Sequence, residues 1–168
     1  MNFSFTEEQI AVRELARQIL GDACDPEHLR ALENDAAGDG IDHALWKKLA
    51  EANLLGTALP EKHGGSDLGL LALCGLFEEA GQRLAPLPLL PALVCAGLPI
   101  AEFGSEAQKQ RWLPGLVAGE TILSAALDET GSIDPARPRT RAQAAGSRWR
   151  LSGEKVCVPA AGCAARVL

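Results

Sequence analysis

The chain has 168 residues, a net charge of −6 and a pI of about 5.1, with 47% hydrophobic and 23% charged residues. That balance belongs to a globular rather than a disordered chain. Its acidity argues against a protein that grips a phosphate backbone.

The first predicted element is a helix opened by Thr6 and Gln9, a capping box, with Phe5 and Ile10 placed to close a hydrophobic staple across it. Val12, Leu15, Ala16 and Ile19 then recur at helical spacing, and Gly21 is the expected stop. A weaker helix follows Pro26, and the acidic, Gly-containing stretch Glu33 to Gly40 reads as a loop. Asp42 is placed to cap the next helix, with Leu45, Trp46, Leu49 and Ala50 inward. A turn-rich connection with Pro60 and Gly64-Gly65 leads to a strongly periodic helix. Its expected inner face is Leu70, Cys74, Phe77, Gly81 and Leu84, filled by Leu73 and Ala80, with Glu78, Glu79, Gln82 and Arg83 outside.

The Pro-rich run from Pro86 to Pro91 enters an apolar helix from Ala92 to Phe103, ended by Gly104. Ser105 and Gln108 form a second capping box for a short helix with Trp112 and Leu113 inward, which Pro114 should break or kink. After Gly119 the period changes. Thr121 to Leu127 is a short apolar run, and Ser152-Gly153-Glu154 reads as a hairpin turn between Trp149-Arg150-Leu151 and Lys155-Val156-Cys157-Val158. The expectation is therefore about six helices followed by the beginning of a sheet. A sheet begun by those strands would have open edges, which folded proteins avoid, so the chain reads as the front part of a longer protein.

No basic region precedes an apolar run at the N-terminus, so no secretory signal is read. The greasiest stretch, Leu84 to Ile100, is broken by four prolines and could not cross a bilayer as one clean helix. The five cysteines, Cys24, Cys74, Cys95, Cys157 and Cys163, fit neither a zinc site nor a disulfide framework. They read as small buried residues of a reduced, cytoplasmic protein. His28, His43 and His63 share no metal-like spacing and read as surface or capping residues, so no metal is expected.

The stretches LWKKLAEANLLGTALPEKHGG, GSEAQKQRWLPGLVAGE, SAALDETGS and WRLSGEKVCVP follow one another in the order and spacing of the acyl-CoA dehydrogenases. The chain resembles that family from about Phe5 to Leu168. The resemblance implies a mainly α fold: an N-terminal all-helical domain, residues 1–120, then the beginning of a β-barrel domain, residues 121–168. The family's C-terminal helical bundle would lie beyond Leu168.

The resemblance also implies chemistry. These enzymes remove a proton from Cα and a hydride from Cβ of an acyl-CoA thioester, with FAD as acceptor, a carboxylate as base and hydrogen bonds to the thioester carbonyl. The family's catalytic Glu belongs to the C-terminal bundle, so no residue here is given that role. Glu78, Glu79, Glu120 and Glu129 invite it, but Glu78 and Glu79 read as a solvated helix face and Glu120 as a strand-edge charge. The flavin-facing segments match Leu127-Asp128-Glu129 and Cys157-Val158-Pro159. Asp128 and Pro159 stand where the family usually has Thr or Ser, and Cys157 where it has an aromatic, which removes donors from both segments.

In the shifted stretch Gly131-Ser132-Ile133-Asp134, Ser132 is the candidate contact to the CoA arm that the resemblance implies, with an ordinary loop serine as the competing reading. Leu89 to Leu98 lies where the family's acyl tail runs, with core packing as the competing reading. Arg137, Arg139, Arg141, Arg148 and Arg150 either attract CoA phosphates or are exposed strand and loop arginines. An acyl-CoA substrate, an electron-transfer flavoprotein or similar acceptor, and a homo- or hetero-oligomer follow from the resemblance, with no nucleic acid. Two other readings remain open: a non-catalytic partner subunit of a heteromeric acyl-CoA dehydrogenase, and an isolated helical binding module.

Overall fold

The computed structural model describes residues 4–36, 38–131, 134 and 136–168. Helix α1 spans Glu7–Ala23, and its N-terminus is closed as expected, by the reciprocal Thr6–Gln9 capping box. Glu7 and Glu8 sit in its first turn, where the unpaired N–H groups favour negative charge. Val12, Ala16 and Leu20 point inward, while Leu15 is exposed. The helix runs past Gly21, because a helical glycine costs only about 1 kcal/mol and tertiary packing overrides it. Helix α2, Pro26–Asn34, starts where Asp25 accepts the N–H groups of Glu27 and His28 at 2.9 Å, with Pro26 in the first turn.

Asp42 caps α3, His43–Glu51, by accepting the Leu45 N–H at 2.9 Å, and Leu45, Trp46, Leu49 and Ala50 are buried. The connection that follows contains one 3₁₀ turn, Glu61–His63. Gly65 is required there: a Cβ at this position would collide with the backbone carbonyl of Leu59. His63 is buried, which corrects its reading as a surface or capping residue; the turn folds it under α6.

Helix α4, Gly69–Gln82, packs along α1. Its inner face is Ala72, Leu73, Leu76, Glu79 and Ala80, rotated from the expected one. Leu70, Cys74, Gly81 and Leu84 are exposed and Phe77 is only partly buried. The cause is Glu79, read as solvated but only 1% exposed. It turns inward because Arg13 and Arg17 of α1 meet its carboxylate at 2.9 and 2.8 Å. Glu78 remains exposed, with Arg13 on its rim at 2.6 Å.

The next apolar stretch is two pieces. Leu90–Gly97 is π-helical, with Leu98 N–H reaching Leu93 O, and α5, Leu98–Phe103, continues it. Helix α6, Glu106–Val117, opens on the expected Ser105–Gln108 box. It runs through Pro114 rather than breaking there; Leu113, Leu116 and Val117 on either side are buried and hold the last turn in place. The core gathers residues of α1, α3, α4, the π-helical stretch, α5 and α6, including Leu20, Leu49, Leu76, Leu93 and Leu116. Each fully buried leucine contributes about 1.5–3 kcal/mol of transfer free energy.

Strand β1, Leu123–Ser124, lies in that core and pairs in parallel with β4, Arg166–Val167. Strands β2, Arg141–Ala145, and β3, Arg148–Ser152, form an antiparallel hairpin. The turn is therefore at Gly146, whose φ of 64° suits a hairpin, and not at Ser152-Gly153-Glu154. Gly153 instead sits against Thr140, across from the end of β3. Every residue of the hairpin is exposed. Among the cysteines only Cys24 is buried; Cys74 and Cys157 are exposed and Cys95 and Cys163 lie between, which corrects their reading as buried residues. All five are free thiols.

Candidate functional site

The two segments expected to face a flavin are far apart in sequence and adjacent in space. The first follows β1 and carries Leu127, Asp128 and Glu129; the second follows β3 and carries Cys157, Val158 and Pro159. Val156 N–H donates to Asp128 O at 3.0 Å. Lys155 Nζ donates to Leu127 O at 3.3 Å and meets Glu129 Oε1 at 2.9 Å. From the core side, the hydroxyl of buried Ser124 donates to Pro159 O at 2.5 Å. The chain beyond Cys163 then returns to β1, with Ala165 N–H on Ile122 O at 2.8 Å.

Glu129 is a buried carboxylate with donors on both oxygens. Oε1 accepts the Thr140 N–H at 2.9 Å and Oε2 the Arg139 N–H at 2.6 Å, in addition to Lys155. The Thr140 N–H is the largest cause that holds its pKa down at about 2, and Lys155 and the Arg139 N–H lower it further against the cost of burial. Leu127 and Asp128 are exposed, as are Cys157 and Pro159. Cys157 adopts φ of 52°, a left-handed backbone that few side chains accept without strain.

The donor chemistry of this site fits a flavin edge, which presents several acceptors and one N–H. Among the described residues, the backbone N–H groups of Leu127, Asp128, Cys157 and Val158 donate to nothing within the chain. Pro159 has no N–H, and an ionised Asp128 side chain only accepts. The fit thus rests on main-chain donors, and the hydroxyl that would support them is missing from both segments. A depression of about 330 Å³ lies beside Pro159, walled by Ile41, Pro86, Pro88 and Pro91.

Other expected residues lie elsewhere. Ser132 falls outside the described residues. Leu89, Leu93 and Ala96 are buried in the core, the competing reading for that stretch, while Leu90 is exposed. Glu120 is exposed beyond α6. Arg141, Arg148 and Arg150 share one exposed hairpin face, and Arg139 folds back on Thr130 and Gly131 carbonyls. No group of three metal-ligating side chains occurs among the described residues. Sequence reasoning missed two residues of the site, Ser124 and Lys155. Only the Gly-x-Lys spacing ahead of Cys157 signalled the second.

The profile described as "Acyl-CoA dehydrogenase, N-terminal domain" matches residues 6–120. Acyl-CoA dehydrogenase FadE27 of Mycobacterium tuberculosis is 34% identical over 158 residues, which is 94% of this chain and 41% of that protein. The Tcur3481-Tcur3483 steroid ACAD, as its G363A variant, superposes with a TM-score of 0.88 at 48% identity, over 96% of this chain and 44% of the other. The ChsE4-ChsE5 complex from Mycobacterium tuberculosis superposes with a TM-score of 0.86 at 32% identity, over 98% of this chain and 43% of its counterpart. The chain therefore spans less than half the length of the proteins it matches.

Proposed function

The chain belongs to the acyl-CoA dehydrogenase family, and on that premise we propose that it forms the front part of an FAD-dependent enzyme that oxidises an acyl-CoA thioester to the 2,3-enoyl-CoA. Residues 1–120 supply the helical domain and 121–168 part of the middle β domain. The observation that carries the reading is the joining of Leu127-Asp128 to Val156-Cys157-Val158, which leaves four main-chain N–H groups on adjacent segments with no acceptor among the described residues. An acyl-CoA dehydrogenase from Bacillus anthracis, 29% identical, has been solved with FAD bound, which supports the same cofactor here. When bound, FAD supplies the acceptor for the hydride that leaves Cβ.

The residues of this chain hold and orient. Leu127, Asp128, Cys157 and Val158 offer backbone donors, and the Ser124–Pro159 bond fixes where the second segment ends. The carboxylate base is expected from the C-terminal bundle of the family. Ser132 is the proposed contact to the CoA arm. The proposed partners are an acyl-CoA, an electron-transfer flavoprotein or similar acceptor, and further subunits. No helix among the described residues is long and apolar enough to cross a membrane; a cytoplasmic location is part of the proposal. The test uses the whole protein: it should be yellow, and its visible band should bleach with an acyl-CoA thioester, steroid thioesters included because of the similar steroid ACAD. A protein reconstituted with FAD that stays inert towards a broad panel of acyl-CoAs overturns the reading.

A second reading is favoured by Asp128 and Pro159 together with the likeness to the ChsE4-ChsE5 complex. In it the whole protein is a non-catalytic subunit paired with a catalytic one. Activity in the isolated protein, lost when its bundle carboxylate is changed to Gln, removes this reading.

A further inference from the structure

Glu129 matched a flavin-facing position, yet its surroundings give it another task. Its side chain is only 4% exposed, and three donors already meet its two oxygens. A carboxylate also accepts only, as do most polar atoms along a flavin edge, so the side chain has little to offer that ligand. What it does have is reach. Arg139 and Thr140 lead into β2, and Lys155 lies just beyond β3, so one carboxylate binds both ends of the hairpin. Lys155 divides its ammonium between Glu129 and Leu127 O, and the next residue, Val156, donates to Asp128 O. Three successive positions of the first segment are thus tied to two successive positions before the second.

Resting on the FAD reading above, we propose that Glu129 and Lys155 are positioning residues whose ion pair sets the spacing between the Leu127–Asp128 donors and the Cys157–Val158 donors. Neither side chain touches the flavin; both act through the main chain they hold. The pair suits that task because its carboxylate stays ionised across ordinary pH and the Lys155 side chain is only 24% exposed, which limits exchange with water. A loose pair would let the segments separate, and the four N–H groups would no longer be held side by side.

The test compares K155M, K155R and E129Q with the parent in the whole protein, by titrating FAD into apo-protein and by amide exchange at Val156 without FAD. K155M removes the cation and should weaken FAD by about 10- to 100-fold, the effect of a lost charge-assisted bond. It should also speed exchange at Val156 while the apo-protein's unfolding temperature changes little. K155R keeps a cation and should recover most of the affinity. E129Q should weaken FAD as K155M does, and it stands in should K155M fold poorly. The inference is overturned if K155M and E129Q bind FAD as tightly as the parent, or if K155R is as impaired as K155M. A parent protein that takes up no FAD overturns the functional reading instead, and the inference with it.

Discussion

Glu79 in the helical region and Glu129 in the β region are both buried carboxylates, and they are held differently. Glu79 lies on α4 between the guanidinium groups of Arg13 and Arg17, so it joins two helices that already share a core. Glu129 sits beneath a hairpin whose residues are all exposed, and backbone N–H groups are among its main partners. In the first region the ion pair adds to packing. In the second, hydrogen bonds do most of what packing does elsewhere, and positions are set by a few polar links.

That contrast can be broken by measurement. The largest effect is expected for Trp46→Ala, since Trp46 is 2% exposed and packed in the helical core. It should cost about 3–5 kcal/mol in urea unfolding followed by helical circular dichroism. A loss below about 1 kcal/mol would mean the helical core is not what holds that region. Glu79→Gln should cost about 1–2 kcal/mol, a moderate sum because the two arginines it frees can turn to water. The same experiment reads it, and a neutral result would make the α1–α4 pairing a matter of apolar contact alone.

Acid should separate the regions further. The folded pKa of Glu129, about 2, lies below its ordinary 4.5. Its contribution is complete above the ordinary value and is lost as pH falls towards the folded one. Pepsin cleavage in the hairpin should therefore rise as pH drops across that window, before the helices unfold. The pKa of Glu79 is also depressed, first by hydrogen bonding to Arg17, so the helical region carries an acid-sensitive link of the same sign. Its apolar core should mask that loss. The smallest effect is expected for Trp149→Ala, within about 0.5 kcal/mol for this chain, because Trp149 is 69% exposed. A larger loss in the whole protein would show that Trp149 and Leu151, on the same face, are covered there.

Local chemistry was legible in the sequence and long-range chemistry was not. The capping pairs Thr6–Gln9 and Ser105–Gln108 and the Asp42 cap involve neighbours three residues apart, and all three are present. The α4 face was misjudged because Glu79 finds its partners more than sixty residues upstream, out of reach of any helical period. The hairpin was displaced because Lys155–Val158 reads as a strand by its apolar residues, whereas the segment that pairs with β3 is Arg141–Ala145, polar and alanine-rich and of low β-propensity. At the candidate site the motif pattern named both segments. The bonds that join them, from Ser124, Lys155 and Val156, depend on the parallel return of the chain to β1, which no spacing announces.

The placement of the indoles has an optical consequence. The chain has three tryptophans and no tyrosine. Trp46 is enclosed by the helical core, Trp112 has the guanidinium groups of Arg111 and Arg166 over its ring, and Trp149 stands in solvent on the hairpin. Intrinsic emission therefore comes from three distinct surroundings: apolar, cationic and aqueous. Variants that keep one indole at a time turn the protein into its own region-by-region reporter, with no dye attached.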